Sequence, residues 1–142
     1  MLKRILLVVA PIGESVEGVE FVADLALAAD AQIIALNVVD SSVAKHLKAA
    51  TGAAESETIV KLQEDGWRYL YSVEDACKTL GAKIVLRQEE GFPEGKIAAA
   101  ARRFNADLVV VPHNRSGGYA QSRSERFVIA LMEHLECPVL VI

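Results

Sequence analysis

Five short apolar runs alternate with helical periods along the chain, and this alternation restricts the folds open to it more than any other feature. The runs are Lys3–Val9 (KRILLVV), Gln32–Val39 (QIIALNVV), Ala82–Arg87 (AKIVLR), Ala106–Val111 (ADLVVV) and Cys137–Ile142 (CPVLVI). Their apolar residues are continuous rather than alternating, the mark of strands buried on both faces. Glu14–Ala29 reads as a helix with Val16, Val19, Val22, Ala23 and Ala26 on one face and Glu14, Glu17, Glu20 and Asp24 turned away. Asp40-Ser41-Ser42 is expected to cap a short helix that Gly52 ends. Ser56–Leu80 carries a stripe of Ile59, Leu62, Gly66, Leu70, Val73, Cys77 and Leu80, and Gly81 stops it.

Glu89-Glu90-Gly91 reads as a turn, and Pro93 opens a helix carrying Ile97, Ala100, Ala101 and Phe104. His113 to Ser122 reads as a Ser- and Gly-rich loop, and Ser124–Leu135 as the last helix. Helices between successive strands imply parallel pairing and right-handed crossovers. The expectation is an α/β fold, a single doubly wound domain over 1–142 with a five-stranded parallel sheet. Such sheets take ligands beyond the carboxyl ends of the strands, where the winding reverses.

Composition narrows the function classes. Hydrophobic residues make up 52% and aromatics only 6%, so the apolar mass is aliphatic and Ala-rich, as a helix-covered sheet requires. The net charge is −4, with no basic block, which argues against a nucleic-acid partner. Cys77 and Cys137 form no CxxC, and no His/Cys/Asp spacing suggests a metal. No stretch approaches the ~18 apolar residues of a membrane helix. The opening MLKRILLVVAPIGES superficially looks like a signal peptide, but its apolar run is short and no small-x-small site follows. A cytoplasmic protein is expected.

KRILLVVA before an acidic helix, LNVVD ending the second strand, EGFPEGKIAAAARRFNADLVVVP and the closing ECPVLVI occur here in one order and spacing. In these stretches the chain resembles the universal stress protein family along nearly its whole length. The resemblance implies a Rossmann-like sheet of order 3-2-1-4-5, akin to the adenine nucleotide alpha hydrolases. It also implies a homodimer through the C-terminal strand, Cys137 to Ile142. In the family's nucleotide-binding branch it further implies ATP or AMP at the ends of strands one and four.

The residues that would carry that nucleotide depart from the branch's pattern. Its Asp after strand one is Ala10 here, followed by Pro11. Its Gly-x-x-Gly, nine residues, Gly-Ser/Thr motif falls on Pro112, Arg115, Glu125 and Arg126. A one-residue slip instead aligns His113-Asn114-Arg115-Ser116-Gly117 with the family's His-Gly-Arg-Ser-Gly. Val38 matches the adenine-side residue. The motif glycines would let backbone N–H groups approach phosphate beside a positive helix N-terminus. Glu125 would bring a negative charge there, and like charges about 4 Å apart cost on the order of 1–4 kcal/mol. ATP binding is therefore expected to be weak or lost, with no cofactor required and ATP or AMP the alternative.

Two readings of Glu125 stay open. Ser122-Arg123-Ser124-Glu125 fits a capping box with Glu125 at the third helical position. Alternatively, Arg115, Arg123 and Arg126 form an anion clamp that replaces the lost glycines; the competing view is a solvated surface pairing with Glu125 and Glu133. Gly117-Gly118 is compatible with either. His113 ends strand four, where a site residue belongs, but no nucleophile with an acidic orienter can be assigned to it. His46 and His134 sit on helix patterns as surface residues. Trp67, Tyr69 and Tyr71, at spacings of two, cannot share one helix face and read as packing or an interface edge. The function expected is a dimeric signalling or stress-response module acting through an unidentified protein partner. The alternative is an ATP/AMP or small-anion sensor with an Arg-rebuilt site.

Overall fold

The computed structural model describes residues 1–9 and 16–142, the side chains of 16 and 17 aside. Its elements are β1 (Arg4–Val8), α1 (Val16–Ala29), β2 (Gln32–Asp40), α2 (Ser41–Thr51), α3 (Glu55–Thr79), β3 (Lys83–Gly91), α4 (Pro93–Arg103), β4 (Leu108–Val111), α5 (Gly118–Met132) and β5 (Val139–Val141). One five-stranded sheet runs β3-β2-β1-β4-β5, and every pairing is parallel. Both the sheet and its order agree with the expectation.

Strand residues divide by parity. Ile5, Leu7 and Val9 of the first strand region join Ile33 and Ala35 under α1 and α3, with Val22, Leu70, Val73 and Cys77 packed on them. Leu6 and Val8 join Ile34, Leu36, Val109 and Val111 on the opposite face, under Ile97, Ala101, Val128 and Leu131 of α4 and α5. Burial pushes the Cys77 thiol up to about 11, which leaves it a packing residue rather than a nucleophile.

Two boundaries differ from the sequence reading by more than three residues. Glu89-Glu90-Gly91 is not a turn: β3 continues through it, pairing Val38 with Glu89, Val39 with Glu90 and Asp40 with Gly91. On an edge strand polar side chains can face water while the backbone pairs, so an acidic triplet masks the strand. The last helix begins at Gly118, six residues before the expected Ser124, because Gly117 and Gly118 turn the chain into it with φ of 84° and 62°. Side chains rarely adopt those positive φ values. The Asp40 cap on α2 forms as expected, accepting from Ser42 N at 3.0 Å, and Gly52 closes that helix with φ 76°.

Trp67 and Tyr71, one helical turn apart, do stack, with ring centroids 5.7 Å apart. The pair four residues apart shares a face although neighbours two apart do not.

Among the described residues Asn37 is the buried polar residue of the core, 3% exposed. It donates from Nδ2 to Gln88 Oε1 at 2.9 Å, and Gln88 Nε2 donates to the Gln63 carbonyl of α3 at 3.1 Å. Gly66 of α3 lies directly over this pair, and a Cβ there would overlap Gln88 Oε1 and Asn37 Nδ2. A mid-helix glycine costs about 1 kcal/mol relative to alanine, but here it admits two interlocked amides beneath the helix. Gly66→Ala is therefore expected to destabilise the fold by about 1–3 kcal/mol, the range for overpacking, despite its better helix propensity. Urea unfolding checks this; a neutral or stabilising result would contradict the packing argument.

Asp107, just before β4, accepts from Lys3 N at 2.8 Å and Arg4 N at 3.0 Å. Those two amides hold its carboxyl below the ordinary value of 3.8. A lowered folded pKa gives stability that is present above the ordinary value and lost as pH falls through the lowered one. Thermal melting from about pH 6 down to about pH 2.5 should show less acid sensitivity for Asp107→Asn than for the parent chain. Equal acid sensitivity would contradict this role.

Candidate functional site

Winding reverses at β1, which has β2 on one side and β4 on the other. The chain leaves β4 through Pro112 and His113 and enters α5, while β2 reaches the same end of the sheet through Asn37 and Val38. A cleft of about 440 Å³ opens at this end. Its apolar wall comes from Val8, Val38, Pro93, Ile97 and Phe127, its floor includes the buried Asn37, and its polar rim comes from His113, Asn114, Arg123 and Ser124, with Tyr119 and Ala120 at the start of α5. Val8 and Ile97 belong to the core of the α4/α5 face, so the wall continues that core.

The loop from β4 to α5 is hydrogen-bonded within itself, to α5 and to Ile142. His113 N donates to Ile142 O at 2.8 Å, and Asn114 N to Ser124 Oγ at 3.2 Å. Ser116 N and Oγ both donate to Asn114 Oδ1, at 2.9 and 2.5 Å. Gly117 N donates to Gln121 Oε1 at 3.1 Å. Gln121 Nε2 then donates to Glu125 Oε1 at 2.9 Å, and His113 Nε2 lies 3.3 Å from the same oxygen. The Gln121 bond first, and the His113 bond second, hold the Glu125 carboxyl below its ordinary range.

The expected capping box is therefore absent. Ser122 and Glu125 both lie inside α5, and Gly117 is the N-cap residue. The amides of Glu125 and Arg126 are committed to the helix's own i→i−4 ladder. Gln121, which the sequence reading missed, serves the helix entrance instead. A Gln four residues into a helix that starts after Gly-Gly is the pattern that could have found it.

The sequence-predicted residues divide as follows. Val38, Pro112, His113 and Arg123 line the cleft or its rim. Glu125 stands behind His113, to which it supplies the acidic partner that could not be assigned from sequence. Gly117 and Gly118 form the entry to α5. Arg126 lies over the Tyr119 ring, 5.8 Å from its centroid, and Arg115 is exposed outside the cleft lining. Among the described residues no ion pair involves Arg115, Arg123 or Arg126. Ala10 and Pro11 lie outside the described residues. Asn37, Tyr119 and Phe127 line the cleft but were not singled out in the sequence. Asn37 was the most visible of them, a lone amide in an apolar strand.

A second groove, about 510 Å³, lies between α3 and the end of β3, with Trp67, Glu64, Glu89 and Glu90 in its walls. It lies away from the β1–β4 reversal. Arg103 sits 3.7 Å from Glu89, and Gln63 donates to Glu90 at 3.5 Å. Among the described residues no group of three or more His, Cys, Asp or Glu side chains is placed to hold a metal, and no helix is long and apolar enough to cross a membrane.

No curated protein matches the chain. A universal stress protein family member from Burkholderia pseudomallei is 23% identical with a TM-score of 0.74, over 99% of this chain and 95% of that one. The universal stress protein UspA of Lactobacillus plantarum is 18% identical with a TM-score of 0.78, over 99% and 97%. An Archaeoglobus fulgidus universal stress protein in complex with dAMP is 16% identical with a TM-score of 0.69, over 99% and 97%. At these identities the likeness establishes the shared fold. The sequence profile of the universal stress protein family matches residues 1–142, and the chain belongs to that family.

Proposed function

We propose that the chain is a universal-stress-type regulatory protein of the cytoplasm, working as a homodimer and through a protein partner, with ATP binding weak or lost. The observation that carries the ATP part is the early start of α5 at Gly118. It draws the amides of Glu125 and Arg126 into a helix, where they cannot turn toward a phosphate. The loop amides of His113, Asn114, Ser116 and Gly117 already have acceptors within the protein.

A second reading, a nucleotide sensor, has two supports. Similar structures hold cAMP, dAMP and AMP, and Arg123 lines the cleft here. On that reading the rebuilt anion site reduces to Arg123, since Arg115 and Arg126 do not line the cleft. Thermal melting separates the two readings. A micromolar ligand at about 1 mM stands near a thousand times its Kd and stabilises the folded state by about 4 kcal/mol. ATP at that concentration is expected to leave the melting temperature within about a degree, whereas micromolar binding would raise it by roughly 8 °C or more.

The dimer reading is supported by β5, which ends the sheet with one edge unpaired among the described residues. Leu140 packs against the core beneath α1 and α3, so a lysine there would damage the protomer itself. Val141 is 39% exposed and is the better probe. Val141→Lys should shift the protein toward monomer without loss of secondary structure, as read by light scattering and circular dichroism. A parent chain that is monomeric at micromolar concentration would remove the dimer from the proposal.

A further inference from the structure

We infer that the groove between α3 and the end of β3 docks a short basic segment of the protein partner, whose arginine or lysine side chain lies against Trp67 with Glu64 and Glu90 as its counter-charges. The inference deepens the proposed function and rests on its reading that the chain works through a protein partner. It adds where that partner binds and what chemistry it must carry.

The groove of about 510 Å³ has an apolar and an aromatic surface side by side on α3. Val60 is 51% exposed and Trp67 37%. A long cationic side chain has matching parts, an aliphatic stem that packs on apolar surface and a charged head that an indole face attracts. The indole is braced from outside the groove. Tyr71, one helical turn on, stacks against it with centroids 5.7 Å apart and is not itself in the lining. The opposite wall is fixed as well, because Gln88 accepts from the buried Asn37 and donates to the Gln63 carbonyl of α3 at 3.1 Å. The groove therefore has its shape before anything binds, which lowers the ordering cost of binding.

Charge selects the occupant. The lining carries Glu64, Glu89 and Glu90 and no lysine or arginine. Glu89 is shared with α4, where Arg103 stands 3.7 Å from it. Among the described residues Glu64 and Glu90 make no ion pair, and Glu90 accepts a long hydrogen bond of 3.5 Å from Gln63. An anion would be repelled here, and a neutral ligand would leave both carboxylates unanswered. A cation on Trp67 meets both. These carboxylates are exposed or nearly so, and one exposed ion pair contributes little, so a lone cation gains little from the groove. The strand beside it supplies the rest. β3 ends the sheet opposite β5, and its outer edge is unpaired among the described residues. A free strand edge next to a groove holds an extended peptide, the edge bonding its main chain and the groove choosing its side chain.

Trp67 is the single tryptophan of the chain, so its fluorescence reads this groove directly. The full chain is titrated with acetyl-Thr-Val-Arg-Val-Thr-amide, with the same peptide carrying Gln for Arg, and with acetyl-arginine amide. The Arg peptide is expected to change Trp67 emission saturably and to bind at least tenfold more tightly than either of the others. Raising salt from about 50 mM to about 300 mM should weaken it at least threefold, because the charges are then screened over a shorter distance. Glu64→Gln with Glu90→Gln keeps both shapes, removes both charges and should weaken the Arg peptide at least fivefold. Trp67→Leu, followed by calorimetry, should weaken it severalfold. Emission unchanged up to millimolar Arg peptide would overturn the inference. Equal binding of the Gln peptide, or unchanged affinity in the double variant with its circular dichroism intact, would overturn the role of charge. Acetyl-arginine amide binding as tightly as the peptide would overturn the partner segment as occupant. A parent chain that retains no protein from a cell extract would sink the partner reading in the proposed function, whereas a double variant that retains the same proteins as the parent would sink the groove alone.

Discussion

The structure depends on β1 being paired along both edges at once. Arg4 to Val8 take their partners from Gln32 to Leu36 of β2, while Ile5 to Leu7 take theirs from Leu108 to Val110 of β4. A strand so placed has no exposed edge, and its side chains must be apolar on both faces, which is why Ile5, Leu6 and Leu7 are all at or below 1% exposed. The two crossover directions meet at this strand. Asp107 fixes its entry by accepting from Lys3 N and Arg4 N, which locks the start of β1 to the start of β4. The cleft opens beyond the far ends of these strands, where Val8 and Val9 meet Pro112 and His113 in its lining.

That central constraint was legible in the sequence because it is written in apolar residues. KRILLVV and ADLVVV are too apolar to lie exposed, and the helices between successive strands imply right-handed crossovers. The misses have an opposite cause. Glu89 and Glu90 pair with β2 through backbone groups while their side chains meet water, so the hydrogen-bond ladder leaves no trace in hydropathy. The first two turns of α5, Gly118 to Glu125, are mostly exposed and polar, and a helix without a buried stripe reads as loop. The apolar positions that anchor α5, Val128 and Leu131, come only in its second half.

The candidate site was legible in position and less so in chemistry. Location follows from topology, and topology follows from the strands. Val38, Pro112, His113 and Arg123 were found because they fall at strand ends or at a helix entrance. What the rim does with its donors depends on where α5 starts, and that turns on two glycines with positive φ and on Gln121. Ser122-x-x-Glu125 has the composition of a capping box, yet both residues sit inside the helix. A local motif specifies a cap only if the chain enters the helix at that point, and here Gly117 and Gly118 bring it in earlier.

Floor and rim of the cleft are consequently stabilised by different means. Beneath it, Asn37 is held by Gln88 from the neighbouring strand, and Gln88 by the Gln63 carbonyl of α3, so three elements share one buried polar link. A link of this kind, fully satisfied and covered by a glycine, tolerates little movement because every displaced amide would be left unpaired in the core. The rim is half-exposed and closed by single hydrogen bonds between side chains, each of which water can replace at small cost. Adaptation to a ligand must therefore come from the α5 entrance rather than from the sheet.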